Sequence, residues 1–279
     1  MDIKVTLLFL FLFLMTLIAN AYDGKPLPKH SEQKPSELEG VGIDQKLGTQ
    51  LNLSLKFKDE NNNEVSLGSF YHRQKPVIVS LVYYSCPGLC NFHLNGLTDG
   101  LKEIDWSAGD KFEVLAISFD PKEGTDLALK KKQNYMAIYN RPEAEKGWHF
   151  LTANQETISQ LTSSVGFKYK WNEKENEWSH ASAAIVTTPE GVVSRYLGGI
   201  QFEAKDVKLA LNEASGGKIG TLVDKFILFC FHYDPQANKY ALYAYNMVRL
   251  GGAIIILIML IWLLPFWIRI KKNEGTVRS

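Results

Sequence analysis

Cysteine is scarce in this chain, with three in 279 residues. So low a count excludes a scaffold built on disulfides, and in an oxidising compartment an odd number leaves one thiol over. Excess charge is lacking too: 31 basic against 30 acidic residues give a net charge of +1. Without a strongly basic surface, nucleic acid is excluded as the main partner. The run Lys130-Lys131-Lys132 reads as a solvated helix face. There is no internal repeat.

The longest apolar runs stand at the two ends. Residues 5–18 read VTLLFLFLFLMTLI, with Lys4 before and Ala19-Asn20-Ala21 behind. A basic start, a short apolar run and an A-x-A site describe a secretory signal peptide, here residues 1–21. At the other end, Leu250 to Ile268 carries no charge over nineteen residues. As a helix it would measure about 28 Å, enough for a hydrocarbon core near 30 Å. The expectation is therefore a transmembrane helix over 247–268 with a tail over 269–279. Arg269, Lys271, Lys272 and Arg278 against Glu274 place that tail in the cytoplasm. The tail contributes +3 and the signal segment 0, which leaves −2 for the exported part. The expected topology is single-pass in the cell (inner) membrane, with the functional domain on the periplasmic, extracytoplasmic side.

Between the ends, residues 22–48 are rich in Pro, Gly and charge and read as a flexible lead-in. LNLSLKF (51–57) and EVSLGSF (64–70) flank an Asn-rich turn and predict a β-hairpin. PVIVSLVYY (76–84) and KFEVLAISFD (111–120) are dense β-branched and aromatic runs of the kind that form buried central strands. Helical spacing follows each of them, although Gly96 and Gly100 weaken the first helix. A short strand over Trp148–Leu151, a helix capped by Asn154, a strand pair over 180–188 and 191–197, and a helix over Glu203–Ala214 complete the domain, 49–215. Alternation of strand and helix makes this an α/β fold. A central strand that delivers cysteines to a helix start is the layout of a thioredoxin-like fold with an N-terminal β-hairpin extension. Residues 216–246 form a connector that holds the third cysteine, in Cys230-Phe231-His232. That Cys-x-His pair reads equally as a metal site or relay, or as a buried free thiol in an apolar stretch.

The chemistry concentrates in YYSCPGLCNFH, residues 83–93. A cysteine at a helix N-terminus is favoured as thiolate by the helix dipole. Residues four apart share a helix face, so Cys86 and Cys90 can aim two sulfurs at one point. As thiolates they form a soft pair suited to Cu(I); oxidised, they close a short disulfide. A metal site wants a third ligand. His180, at the start of the HASAAIVTT strand, is one candidate, and His93, seven beyond Cys86, is another. Asp120, at a strand end, reads either as a neighbour of the site or as an ordinary turn residue.

Several motifs together resemble the Sco/SenC family of copper chaperones. They are CPGLC after a strand, SFDP at 118–121 with Asp126 further on, WHFLTANQETISQL at 148–161 and SHASAAIVTTPEG at 179–191. The resemblance runs over about residues 40–214 in order and spacing. It departs in Asn91, where the family has proline, and in the C-terminal position of the membrane helix. It implies copper as the metal, Cu(I) first and Cu(II) second, with Cys86, Cys90 and His180 as ligands. It also implies Cys86 and Cys90 as a redox-active pair. The implied partners are the cytochrome c oxidase subunit that bears the CuA site or another copper-receiving protein, a copper donor, and thiol–disulfide partners. In exchange chemistry Cys86 would attack and Cys90 would resolve, and this activity without metal is the alternative function.

Overall fold

The computed structural model describes residues 40–71, 74–86 and 88–216, the strand backbones at 231–234 and 239–242, and helical positions 251, 252, 255, 256, 258, 259 and 261. The expected signal peptide, most of the lead-in, most of the connector, Cys230, the tail, and most of the transmembrane segment lie outside the described residues. Among the described residues, no helix is long and apolar enough to cross a membrane.

The strands are β1 (Gly42–Ile43), β2 (Lys56–Lys58), β3 (Glu64–Ser66), β4 (Val77–Val82), β5 (Glu113–Ser118), β6 (Trp148–Leu151), β7 (Phe167–Asn172), β8 (Glu177–His180), β9 (Ala183–Thr187), β10 (Val193–Gly198), β11 (Phe231–Asp234) and β12 (Lys239–Leu242). The α-helices are α1 (Leu89–Glu103), α2 (Thr125–Tyr139), α3 (Gln155–Ser164) and α4 (Ala204–Ala214). Five strands form the central sheet in the order β10-β9-β4-β5-β6. β4, β5 and β6 run parallel, while β9 is antiparallel to β4 and to β10. Every residue of β4 and β5 is buried. That is why both read as continuous apolar runs rather than alternating ones.

Helix α1 packs between α2 and α4. Its glycines explain how. A Cβ on Gly96 would stand 1.9 Å from the Ile200 carbonyl oxygen, and one on Gly100 would stand 2.4 Å from that of Phe202. The residues that weaken the helix in isolation are the ones that let the 200–202 turn lie against it. Gly96→Ala would gain about 1 kcal/mol of helix propensity and force α1 outward at a cost near the ~3 kcal/mol upper end for overpacking. The expected net loss is about 2 kcal/mol, or roughly 6 °C in Tm for a domain of this size. Thermal unfolding followed by circular dichroism checks it, and an unchanged Tm would overturn the packing argument.

Three details differ from the sequence expectation. The N-terminal hairpin is short: β2 pairs with β3 over three residues each, after which Leu67–Phe70 turns as a 3-10 helix. Its far side is tied to the chain beyond β6 by a mutual Lys58–Thr152 backbone pair at 2.8 and 2.9 Å. The end of the lead-in is a strand, since β1 pairs with β7. Finally, residues 167–179, which carried no assignment, form with His180 the hairpin β7–β8 in a separate sheet of order β1-β7-β8. The 180–188 segment is therefore not one strand. His180 ends β8, and β9 begins at Ala183. The asparagine cap holds as expected: Asn154 Oδ1 accepts from the Thr157 N–H at 2.9 Å.

Candidate metal centre

β4 leads directly into the cysteine turn. Cys86 lies just outside α1, with Gly88 as the N-terminal flanking residue and Cys90 in the first turn. The two cysteines are thus not on one helix face. Instead the Cys86 sulfur accepts the Cys90 N–H at 3.3 Å. Gly88 has no side chain to cap the helix, and this sulfur takes that role, satisfying one of the donors that a helix start leaves open. The Cys90 sulfur in turn accepts the Tyr83 N–H at 3.4 Å. Both sulfurs are buried, at 5% and 2% exposure, and they are not joined.

A carboxylate that sequence reasoning missed holds the turn. Glu123 accepts the N–H groups of Tyr84 and Ser85, each at 2.7 Å. It also accepts the Ser85 hydroxyl at 2.7 Å and the Ser118 hydroxyl at 2.6 Å. Charge-assisted bonds of this kind are about twice as strong as neutral ones. On the other side of the turn, the Asn91 amide donates to the Cys86 carbonyl at 2.9 Å and accepts from the Lys131 ammonium at 2.8 Å. Lys131 is therefore engaged, not merely solvated.

His180 arrives from a different sheet. The β8 end is tethered by Trp178, whose indole N–H donates to Asp120 at 3.0 Å. Both readings of Asp120 hold: one carboxylate oxygen holds Trp178, two residues from His180, and the other closes its own turn by accepting the Lys122 N–H at 2.9 Å. The His180 ring lies among Tyr83, Phe119 and Phe167, with centroids 5.8, 5.1 and 6.1 Å away. Its Nδ1 sits 2.8 Å from the Ala181 carbonyl. A carbonyl only accepts, so Nδ1 carries the proton and Nε2 offers a lone pair. Nε2 stands 3.1 Å from the Cys90 sulfur. Fixing a histidine's tautomer through its far nitrogen is how metal-binding histidines are oriented.

The three donor atoms of Cys86, Cys90 and His180 lie within 4.8 Å of one another. Their protonation is asymmetric. The hydrogen bond from Cys90 holds the Cys86 thiol down at about 3, against the opposing effect of burial and with help from the Tyr83 hydroxyl and the Cys90 N–H. Burial, reinforced by hydrogen bonding to Cys86, pushes the Cys90 thiol well up. The pair is a thiolate beside a thiol. Two sulfurs and one imidazole, buried and walled by aromatic rings, suit a soft ion.

His93 is not a ligand. It is buried, and burial pushes its imidazole down to about 4; its Nε2 and Nδ1 face the Ser80 and Ser182 hydroxyls. His149 lies far along the chain on β6 against Phe70, with ring centroids 4.6 Å apart. His232 belongs to β11, whose backbone pairs it with Ala241 on β12.

The sequence profile of the SCO1/SenC family matches residues 45–213. No curated protein sequence matches the chain. Among solved structures, a candidate electron transfer protein from Aquifex aeolicus VF5 is 24% identical, covers 62% of this chain and 96% of its own, and superposes with a TM-score of 0.55. ScoI of Arabidopsis thaliana, crystallised with copper bound, is 16% identical over 61% of this chain and 98% of its own, with a TM-score of 0.46. BsSco, a member of the Sco family of cytochrome c oxidase assembly proteins studied for a disulfide switch, is 22% identical over 62% and 97%, with a TM-score of 0.49. The likeness to the Aquifex protein concerns the fold, and the thioredoxin-like reading agrees with it. The family match spans more than half of the chain and contains Cys86, Cys90 and His180 in order: the chain belongs to the SCO1/SenC family.

Proposed function

We propose that this protein is a membrane-tethered copper chaperone that holds one Cu(I) between Cys86, Cys90 and His180 and supports assembly of a copper centre in a respiratory cytochrome c oxidase. The observation that carries this reading is the buried cluster of two sulfurs and one imidazole nitrogen, with its histidine tautomer already set for binding. Family membership supports the client. The thiolate pair with the imidazole supplies a soft, water-poor seat for Cu(I). Oxidation of the two sulfurs to a disulfide removes two of three donors, so the redox state of the pair governs retention.

The membrane tether rests on the apolar run within 247–268. Its described positions are helical, and Ile256, Ile258 and Ile261 are about 60% exposed, as lipid-facing residues are. The signal segment 1–21 and the basic tail Arg269, Lys271, Lys272 and Arg278 support a metal centre on the extracytoplasmic side.

Anaerobic titration of the reduced full-length chain in detergent with Cu(I) is expected to saturate at one equivalent, with that equivalent lost in Cys90→Ser. Binding of no copper, or undiminished binding in the variant, would sink the reading.

A second reading is favoured by the thiolate–thiol asymmetry. In it the protein reduces disulfides of exported partners. Cys86 thiolate attacks one partner sulfur, a mixed disulfide forms, and the partner's other sulfur leaves as thiolate. Cys90 then gives up its proton and attacks the Cys86 sulfur. The Cys90 proton passes to the first partner sulfur released, so the partner leaves as one thiol and one thiolate, and Cys86–Cys90 remains as the disulfide.

A further inference from the structure

The residue that sequence reasoning weighed as a ligand and set aside, His93, has an unexplained place. It is 2% exposed, yet it is surrounded by polar partners rather than apolar ones alone. Its Nε2 lies 3.0 Å from the Ser80 hydroxyl on β4. Its Nδ1 lies 2.7 Å from the Ser182 hydroxyl and 3.5 Å from the Gly199 carbonyl. The Phe202 ring stands edge-on at 5.2 Å and keeps the imidazole upright.

The proton positions follow from counting donors. Ser182 Oγ is 2.8 Å from the Gly199 carbonyl, which only accepts, so the single Ser182 hydroxyl proton goes there. Ser182 Oγ then accepts from His93, and Nδ1 carries the proton. His93 Nε2 therefore accepts the Ser80 hydroxyl proton. Every polar atom of the chain Ser80–His93–Ser182–Gly199 has a partner, as a buried network requires.

What this network joins is the point. α1 carries both Cys90 and His93, one turn apart. Ser182 stands two residues after His180, on the short arm between β8 and β9. The arm is already tied to the β10 end, since Gly199 N–H donates to the Ser182 carbonyl at 2.9 Å. His93 ties that assembly to the helix that carries Cys90. We propose that His93 is a positioning residue for the metal centre, holding the His180 arm in register with the helix that presents Cys90.

This rests on the copper-binding reading above. Loss of a partner that orients a metal ligand typically weakens binding about 10–100-fold. Cu(II) is the probe, because an imidazole contributes more to it than to thiolate-loving Cu(I). For the full-length chain, His93→Leu is expected to weaken Cu(II) binding about tenfold. His93→Asn, whose amide N–H reaches where Nδ1–H does, should stay within roughly threefold of wild type. In a His180→Ala background, His93→Leu should cost nothing further, because the effect passes through His180.

Wild-type affinity in a folded His93→Leu protein would overturn the proposal. So would the same tenfold loss in the His180→Ala background, which marks general damage. Should His93→Leu not fold, Ser182→Ala takes its place. It is expected to weaken Cu(II) binding about threefold, since Gly199 still accepts from Nδ1, and no change would overturn the proposal. Failure of the wild type to bind copper would instead refute the copper reading, and a normal His93→Leu beside a crippled His180→Ala would refute this inference alone.

Discussion

His180→Ala is expected to lower Cu(II) affinity about a hundredfold or more and Cu(I) affinity about tenfold. The first figure is at least the upper end of what losing an outer partner of a ligand costs, because here the ligand itself goes. The difference between the ions follows from donor softness: two thiolates satisfy Cu(I) far better than they satisfy Cu(II). Alanine leaves an apolar gap beside Phe119 and Tyr83, and His93 offers no nitrogen in its place, since both of its own are engaged. Competition against chelators of known affinity for each ion measures both values. Equal affinity of variant and wild type for Cu(II) would remove His180 from the ligand set. The same variant should keep its thiol–disulfide exchange, which needs only the sulfurs, so one protein separates the two proposed activities.

The second large effect is on pH. A ligand thiol must lose its proton to bind, so metal affinity rises with pH by one power of ten per proton displaced. Cys86, held down at about 3, is already a thiolate in any neutral solution and displaces none. Cys90, pushed up by burial, displaces one. Cu(I) affinity should therefore rise about tenfold per pH unit, for example about tenfold from pH 6.5 to 7.5, below the titration of an ordinary thiol. The sign is set by the raised group, and the depressed one contributes only at pH values near 3. Two ordinary thiols would give a slope near two below their titration. A slope of two, measured by chelator competition corrected for the chelator's own protonation, would refute the thiolate–thiol pair.

The strands that form the middle of the sheet could be read from the sequence because burial on both faces leaves an unbroken apolar run, as in Val77–Val82. The candidate cysteines could be read from residue type and spacing, whereas the choice of His180 over His93 came from the family resemblance. Geometry was less legible. Cys86 precedes the helix because the chain turns at Gly88 before α1 begins, and four-residue spacing says nothing of that. The β7–β8 hairpin left a signal that went unused: Phe167, Tyr169 and Trp171 alternate with Lys168 and Lys170, and Asn176 takes the positive φ of 51° that a tight turn favours. Glu123 left none. Its partners Tyr84 and Ser85 are 39 and 38 residues away, and only the parallel pairing of β4 with β5 brings the two loops to one edge. His93 is similar, with partners 13 and 89 residues distant.

The sulfur that caps α1 has a consequence for whatever binds to it. Copper, a disulfide and the Cys90 N–H all compete for the same Cys86 lone pairs, so the order of the first helical turn is thermodynamically linked to the state of the sulfur. A linkage of this kind is reciprocal. Whatever grips the loosened turn more firmly than the closed one also lowers the affinity for the ion by the same factor. Phe92, on that turn and 60% exposed, is a handle through which a contact made outside the site would act on the sulfur.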